Sequence, residues 1–224
     1  MGFASASPIL QGMMHVLTID AALGSCSVAL VADDTLIAAR HADGGRGHAE
    51  LAPMVRSVMA DARLNLIAVT TGPGSFTGLR AALALAQGLG LGAGVPIVGV
   101  SVVEALADET KMQIGHRALW VAIDSRRGRV FLHHDGRLET AALEALPSPL
   151  GAVAIAGDAA DEVAARLTAS GYDAIVTGAR VPLPRHIAEV GRQRAAGLLA
   201  PIALLPIYVD PPEVRQTPLR PPPT

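Results

Sequence analysis

The sequence predicts a mixed α/β protein of two similar lobes, each a mixed sheet flanked by helices. Three observations carry that prediction. Residues 14–110 read as three antiparallel strands, a helix, a parallel strand, a helix and a parallel strand. Residues 116–209 begin again with a strand, a turn and a strand, and both openings carry an acid, Asp20 and Asp124. Half of the 224 residues are hydrophobic but only six are aromatic, so Ala, Val and Leu must fill a sizeable interior.

Taken in order, "HVLTID" and "SCSVALVAD" are strands joined by the tight "AALG" turn, and "TLIAARHA" is a third antiparallel strand. The glycine-rich "DGGRG" loop leads into a helix over 48–63. Its Leu51, Met54, Val55, Val58, Met59 and Ala62 recur at helical spacing and form one apolar stripe. "LIAVTT" is a buried strand, residues 79–91 a second helix, "VPIVGVS" a strand, and "VVEALADE" the start of a further helix. The second half opens on "ALWVAIDSRRGRVFLHHDGRL", a strand, a turn and a strand, and adds "VAIAGD", a helix near 159–169, "DAIVT", and a helix near 185–199. The paired openings suggest an ancient duplication.

The ends are set apart. Residues 1–13 read as an upstream extension or tag, because a second start sits at Met13-Met14; they lack a signal peptide's basic start and apolar run. Seven prolines fall among the last 19 residues. They predict a final extended contact and then a disordered Pro-rich tail over 210–224. The 23 uncharged residues between Arg80 and Glu104 are long enough for a membrane span. Six glycines and prolines break that run into a buried helix and a buried strand, so no membrane partner is expected.

Between strand and helix lies "TTGPGSFTGLR". Pro73-Gly74 suits the two central positions of a type II turn, and Ser75 or Thr77 can cap the helix that follows. Two roles remain open for this turn. It either aims a helix, or it holds an anion on exposed N–H groups, with Asp20, Gly72, Gly74, Ser75, Thr77 and Gly78 as a nucleotide loop. A Walker loop is excluded, because Gly78 is followed by Leu79-Arg80 and the chain's single lysine is Lys111. Asp20 is open in the same way: a magnesium- or water-holding carboxylate of an actin-like ATPase or phosphotransferase, or the group that fixes the "AALG" turn.

Other chemistries find little support. The seven histidines form neither HExxH nor HxxxH, and His133-His134 point to opposite faces of a strand. His48 reads as a capping or surface residue, and Ser75 lacks the G-x-S-x-G frame. Cys26 is the only cysteine, so no intrachain disulfide forms; it reads as a buried strand thiol in a cytoplasmic protein. A formal net charge of −2 is a poor footprint for gripping nucleic acid alone.

Apolar surface stands out instead. The helix from Leu79 carries Leu83, Leu85, Leu89 and Leu91 with Ala or Gly, including Ala86, at most other positions. It is apolar nearly all round and is expected to be covered on every side. With the stripe of helix 48–63, it predicts a partner interface of Leu51, Met54, Val55, Val58, Met59, Leu79, Leu83, Ala86 and Leu89. Each side chain buried there would contribute roughly 1.5–3 kcal/mol.

The element order resembles the ribonuclease-H-like half of the actin/Hsp70 (ASKHA) superfamily. More closely, "LTIDAALGSCSVAL", "HAELAPMVRSVM", "TTGPGSFTGLRAALALAQG" and "DSRRGRVF" resemble the signatures of the TsaB (YeaZ) family, with "LPIYV" similar to its final strand. That family belongs to a glycoprotease-like M22 superfamily. The resemblance implies two actin-like subdomains and a non-catalytic dimerisation subunit of the machinery that makes threonylcarbamoyladenosine (t6A) at position 37 of tRNA. It implies a TsaD-type catalytic partner, packed on the helices at 48–63 and 79–91, and a homodimer when that partner is absent. A TsaE-type ATPase subunit joins the pair, tRNA is met only through the complex, and ATP or ADP with magnesium binds at most weakly there. No cofactor or metal is intrinsic. The paralogue's HxxxH metal motif falls where this chain has Val102 and Leu106. Thr70-Thr71 also stand where family members tend to have Gly-Arg, and the connection through Asn65 is a few residues short.

Overall fold

The computed structural model describes residues 13–44, 47–59 and 62–209. The expected extension at 1–13, apart from Met13, and the tail at 210–224 lie outside the described residues. In the first lobe, β1 (His15–Asp20), β2 (Ser25–Ala32), β3 (Thr35–Asp43), β4 (Leu66–Gly72) and β5 (Ile97–Ser101) form one sheet in the order β3-β2-β1-β4-β5. β1–β2 and β2–β3 pair antiparallel, while β1–β4 and β4–β5 pair parallel.

The second sheet repeats the plan. β6 (Ala118–Asp124), β7 (Arg129–His134), β8 (Arg137–Ala142), β9 (Val153–Ala156) and β10 (Ala174–Val176) take the order β10-β9-β6-β7-β8. Its hairpins are antiparallel and its β6–β9 and β9–β10 pairs parallel. β8 is a strand that the sequence reading had folded into the end of its neighbour. The matching orders agree with the duplication read from Asp20 and Asp124.

Side-chain alternation gives each sheet two apolar faces. Leu17, Ile19, Val28, Ile67 and Val69 face α1 (Leu51–Met59) and α2 (Phe76–Ala93). Val16, Leu66, Ala68 and Val100 face α3 (Val102–Thr110) and α5 (Pro184–Ala195). In the second sheet Trp120, Ala122, Val153 and Ile155 cover α4 (Ala160–Ala169). The opposite residues, Val121, Ile123 and Ala156, meet Ala22, Leu79, Val102 and Leu106 in a core that joins the lobes.

Three expectations need correction. The first helix does not span 48–63: Gly47–Glu50 form a 3-10 turn, the α-helix runs over Leu51–Met59, and Ala62 lies outside it. Residues 116–209 are not one unit, because α5 packs across the first sheet against β4, β1 and β5. Arg194 ties it there, donating to the carbonyls of Gly99 at 2.6 Å and Ala200 at 2.8 Å and pairing with Glu104. That same Glu104 closes a capping box with Ser101 at the start of α3. Finally, "LPIYV" is irregular rather than a strand; Ile207 donates one backbone hydrogen bond to Thr71 O at 2.7 Å.

Candidate partner face and interlobe cleft

The glycine turn is built for contact with the β1–β2 turn. The Gly72–Pro73 peptide is cis and Gly74 has φ 154°, so the expected type II turn does not form; its third residue would sit near +80°. A Cβ on Gly74 would lie 2.0 Å from Ala22 O, and one on Gly78 would lie 2.1 Å from Ala21 O. Both glycines are therefore required by close backbone approach. Ser75 N–H donates to Ala22 O at 2.6 Å, Gly78 N–H to Ser75 Oγ at 3.3 Å, and Leu79 N–H to Ser75 O at 2.9 Å. Three of the turn's N–H donors are thus used inside the chain, and Ser75, not Thr77, caps α2.

Asp20 supports the same junction from below. It is 3 % exposed, and its Oδ1 accepts from Thr70 Oγ1 at 2.6 Å and from Ala22 N–H at 3.1 Å. Burial pushes its pKa up to about 6 against those two hydrogen bonds, which favour the charged form. Of the six residues assigned to a nucleotide loop, Gly74, Ser75 and Thr77 line the cleft between the lobes, whereas Asp20, Gly72 and Gly78 do not. Of the two roles open to Asp20, the geometry favours the one that fixes the β1–β2 turn.

In the second lobe Asp124 makes the equivalent turn, its Oδ1 accepting from Arg126 N–H at 2.7 Å. Asp124 N–H in turn donates to Asp158 Oδ1 at 2.9 Å. Burial raises the pKa of Asp158, opposed by that bond and by Arg126. The Arg126 side chain pairs with Asp124 at 3.4 Å and Asp158 at 3.9 Å, and its Nη2 occupies the space a Cβ on Gly24 would need. The resulting cleft, about 710 Å³, lies between the two turns, and Phe76, Phe131 and Tyr208 contribute rings to it.

The predicted interface residues are core residues. Leu51, Met54, Val55 and Val58 are 2–7 % exposed, Leu83 is 4 % and Ala86 0 %, all in the core over the first sheet. Met59 and Leu89 pack on that same core, and Leu79 sits in the core joining the lobes. The stripe faces its own sheet, as the apolar side of an amphipathic helix does. Nor is α2 covered all round: Arg80, Ala84, Gln87, Gly88, Leu91 and Gly92 are exposed, Leu91 by 88 %. Beside it α1 exposes Ala52, Pro53, Arg56 and Ser57. This outer pair of faces was not legible as such, because sequence periodicity finds a stripe without saying what covers it.

Remaining candidates are placed plainly. Cys26 is buried, and burial raises its thiol pKa. His134 is buried against Trp120, with Asp135 and Glu139 on its two ring nitrogens. His133, on the other face, is half-buried, which lowers its pKa. Val102 and Leu106 are both 0 % exposed within the core joining the lobes. Among the described residues no group of three or more His, Cys, Asp or Glu could hold a metal ion, and no helix is long and apolar enough to cross a membrane.

Two mixed sheets of the same strand order, helices on their faces and a cleft between paired acidic turns define a protein of the actin-like, duplicated ribonuclease-H class. The family described as "TsaD: tRNA N6-adenosine threonylcarbamoyltransferase" matches residues 41–197. The Escherichia coli tRNA threonylcarbamoyladenosine biosynthesis protein TsaB is 37 % identical over 123 residues, 53 % of each chain. An uncharacterized protein of Mycobacterium tuberculosis is 32 % identical over 222 residues, covering 89 % of this chain and 93 % of its own. The solved structure of YeaZ from Pseudomonas aeruginosa matches with a TM-score of 0.68 at 25 % identity, over 88 % of this chain and all of that one. The chain belongs to this TsaD-type family, on its TsaB (YeaZ) branch. It spans about half the length of the TsaB proteins it matches.

Proposed function

We propose that the chain is a non-catalytic partner subunit in t6A biosynthesis. It holds a TsaD-type catalytic subunit in a productive state for transfer of threonylcarbamoyl to N6 of adenosine 37 in tRNA. Membership of the TsaB branch supports the pathway, since relatives that match about half of the chain carry that biosynthesis in their names. The observation that carries the subunit role is the exposed pair of helix faces. Ala84, Gly88 and Gly92 on α2, beside Ala52 and Ser57 on α1, make a surface of small side chains, with Arg56 and Arg80 exposed on the same two helices. Small residues let another helix pair approach closely, and Leu91 supplies an apolar anchor at its end.

The buried Val102 and Leu106 support the division of labour, because neither side chain can ligate a metal. In this reading the same face pairs with a second copy when the catalytic partner is absent. A TsaE-type ATPase joins the assembled pair, nucleotide with magnesium belongs to that assembly, and tRNA is met only through it in the cytoplasm. Reconstitution tests the proposal. The TsaD-type subunit with its ATPase partner, tRNA and threonylcarbamoyl-adenylate should form t6A only when this chain is added, and this chain alone should form none. Modification at full rate without it would refute the role.

A further inference from the structure

Three of the chain's six aromatic residues line a single cleft. Phe76 and Tyr208 are each 51 % exposed, with ring centroids 5.6 Å apart, and Arg80 lies over the Phe76 ring at 4.7 Å. Rings held together at a concave surface yet half open to water make a platform, and flat proline rings fit such platforms with little loss of chain entropy. The described chain reaches this cleft at its own end: Tyr208 and Val209 are lining residues. The next 15 residues, "DPPEVRQTPLRPPPT", hold six prolines.

We propose that residues 210–224 dock in the interlobe cleft of their own chain, prolines laid on the Phe76–Tyr208 platform. Reach is ample, since 15 residues in polyproline II form extend about 45 Å. Tethering decides the occupant: a segment joined beside its site experiences an effective concentration on the order of millimolar, which a second copy or a separate proline-rich protein must outcompete.

Limited trypsin digestion of the full chain, followed by mass spectrometry, tests the docking. Arg215 precedes Gln216 and is cleavable, whereas Arg220 precedes Pro221 and resists. Cleavage after Arg215 should be at least tenfold slower than in the free peptide 210–224, at any protein concentration. Phe76→Ala or Tyr208→Ser, each with an unchanged unfolding midpoint, should restore the peptide's rate. A chain ending at Val209 should bind the labelled peptide in trans by fluorescence anisotropy, and its Phe76→Ala form should not. Cleavage as fast as in the free peptide would overturn the proposal. So would protection that survives both ring substitutions, or protection that grows with protein concentration and thus belongs to a second copy.

Discussion

Asp20 shows what a single residue contributes and what it costs. It fixes the β1–β2 turn through Ala22 and Thr70, yet its burial raises its pKa from 3.8 to about 6. The native state therefore holds a proton that the unfolded chain releases between those values, and this group's contribution to stability falls as pH rises from about 4 to 6. Asp20→Asn keeps an oxygen for Thr70 and Ala22 but cannot ionise. It should stabilise the chain by on the order of 1–3 kcal/mol at pH 7.5 and by much less at pH 4, measured as the difference in urea unfolding from the parent. The acid and its turn were visible in sequence. Its partner was not, because Thr70 lies 50 residues away and reaches Asp20 only through the parallel pairing of β1 with β4.

At the scale of elements, strands were more legible than helix ends. β1, β2, β4 and β6 announce themselves as short apolar runs, since strands buried on both faces need no alternation. The α1 boundary was missed because His48-Ala49-Glu50 suit a helix by composition while the chain there makes a tighter turn. The GPGSFTG motif opens a helix, and its glycines answer to Ala21 and Ala22, a neighbour that sequence cannot show. Two substitutions separate these causes. Gly78→Ala should cost about 2–3 kcal/mol, because its Cβ meets a backbone oxygen that cannot retreat. Gly88→Ala, with nothing within 4 Å, should gain about 0.5–1 kcal/mol from helix propensity. Thermal or urea unfolding of the isolated variants measures both.

For the whole molecule, the sequence revealed two lobes and a family, but the stripe it assigned to a partner lies against the chain's own sheet. Periodicity marked Leu51, Met54, Val55, Val58 and Leu83, and the chain spends these on its own core. Leu83→Asp should therefore unfold the protein, by about 3 kcal/mol or more, before any association can be judged. The exposed positions one step round the helix carry the functional claim. The decisive measurement is the affinity of the chain for its TsaD-type partner, by titration calorimetry, with Ala84→Arg and Leu91→Asp variants whose unfolding midpoints match the parent. Binding weakened at least a hundredfold by either substitution is the predicted result. Parental affinity in both variants would contradict the account.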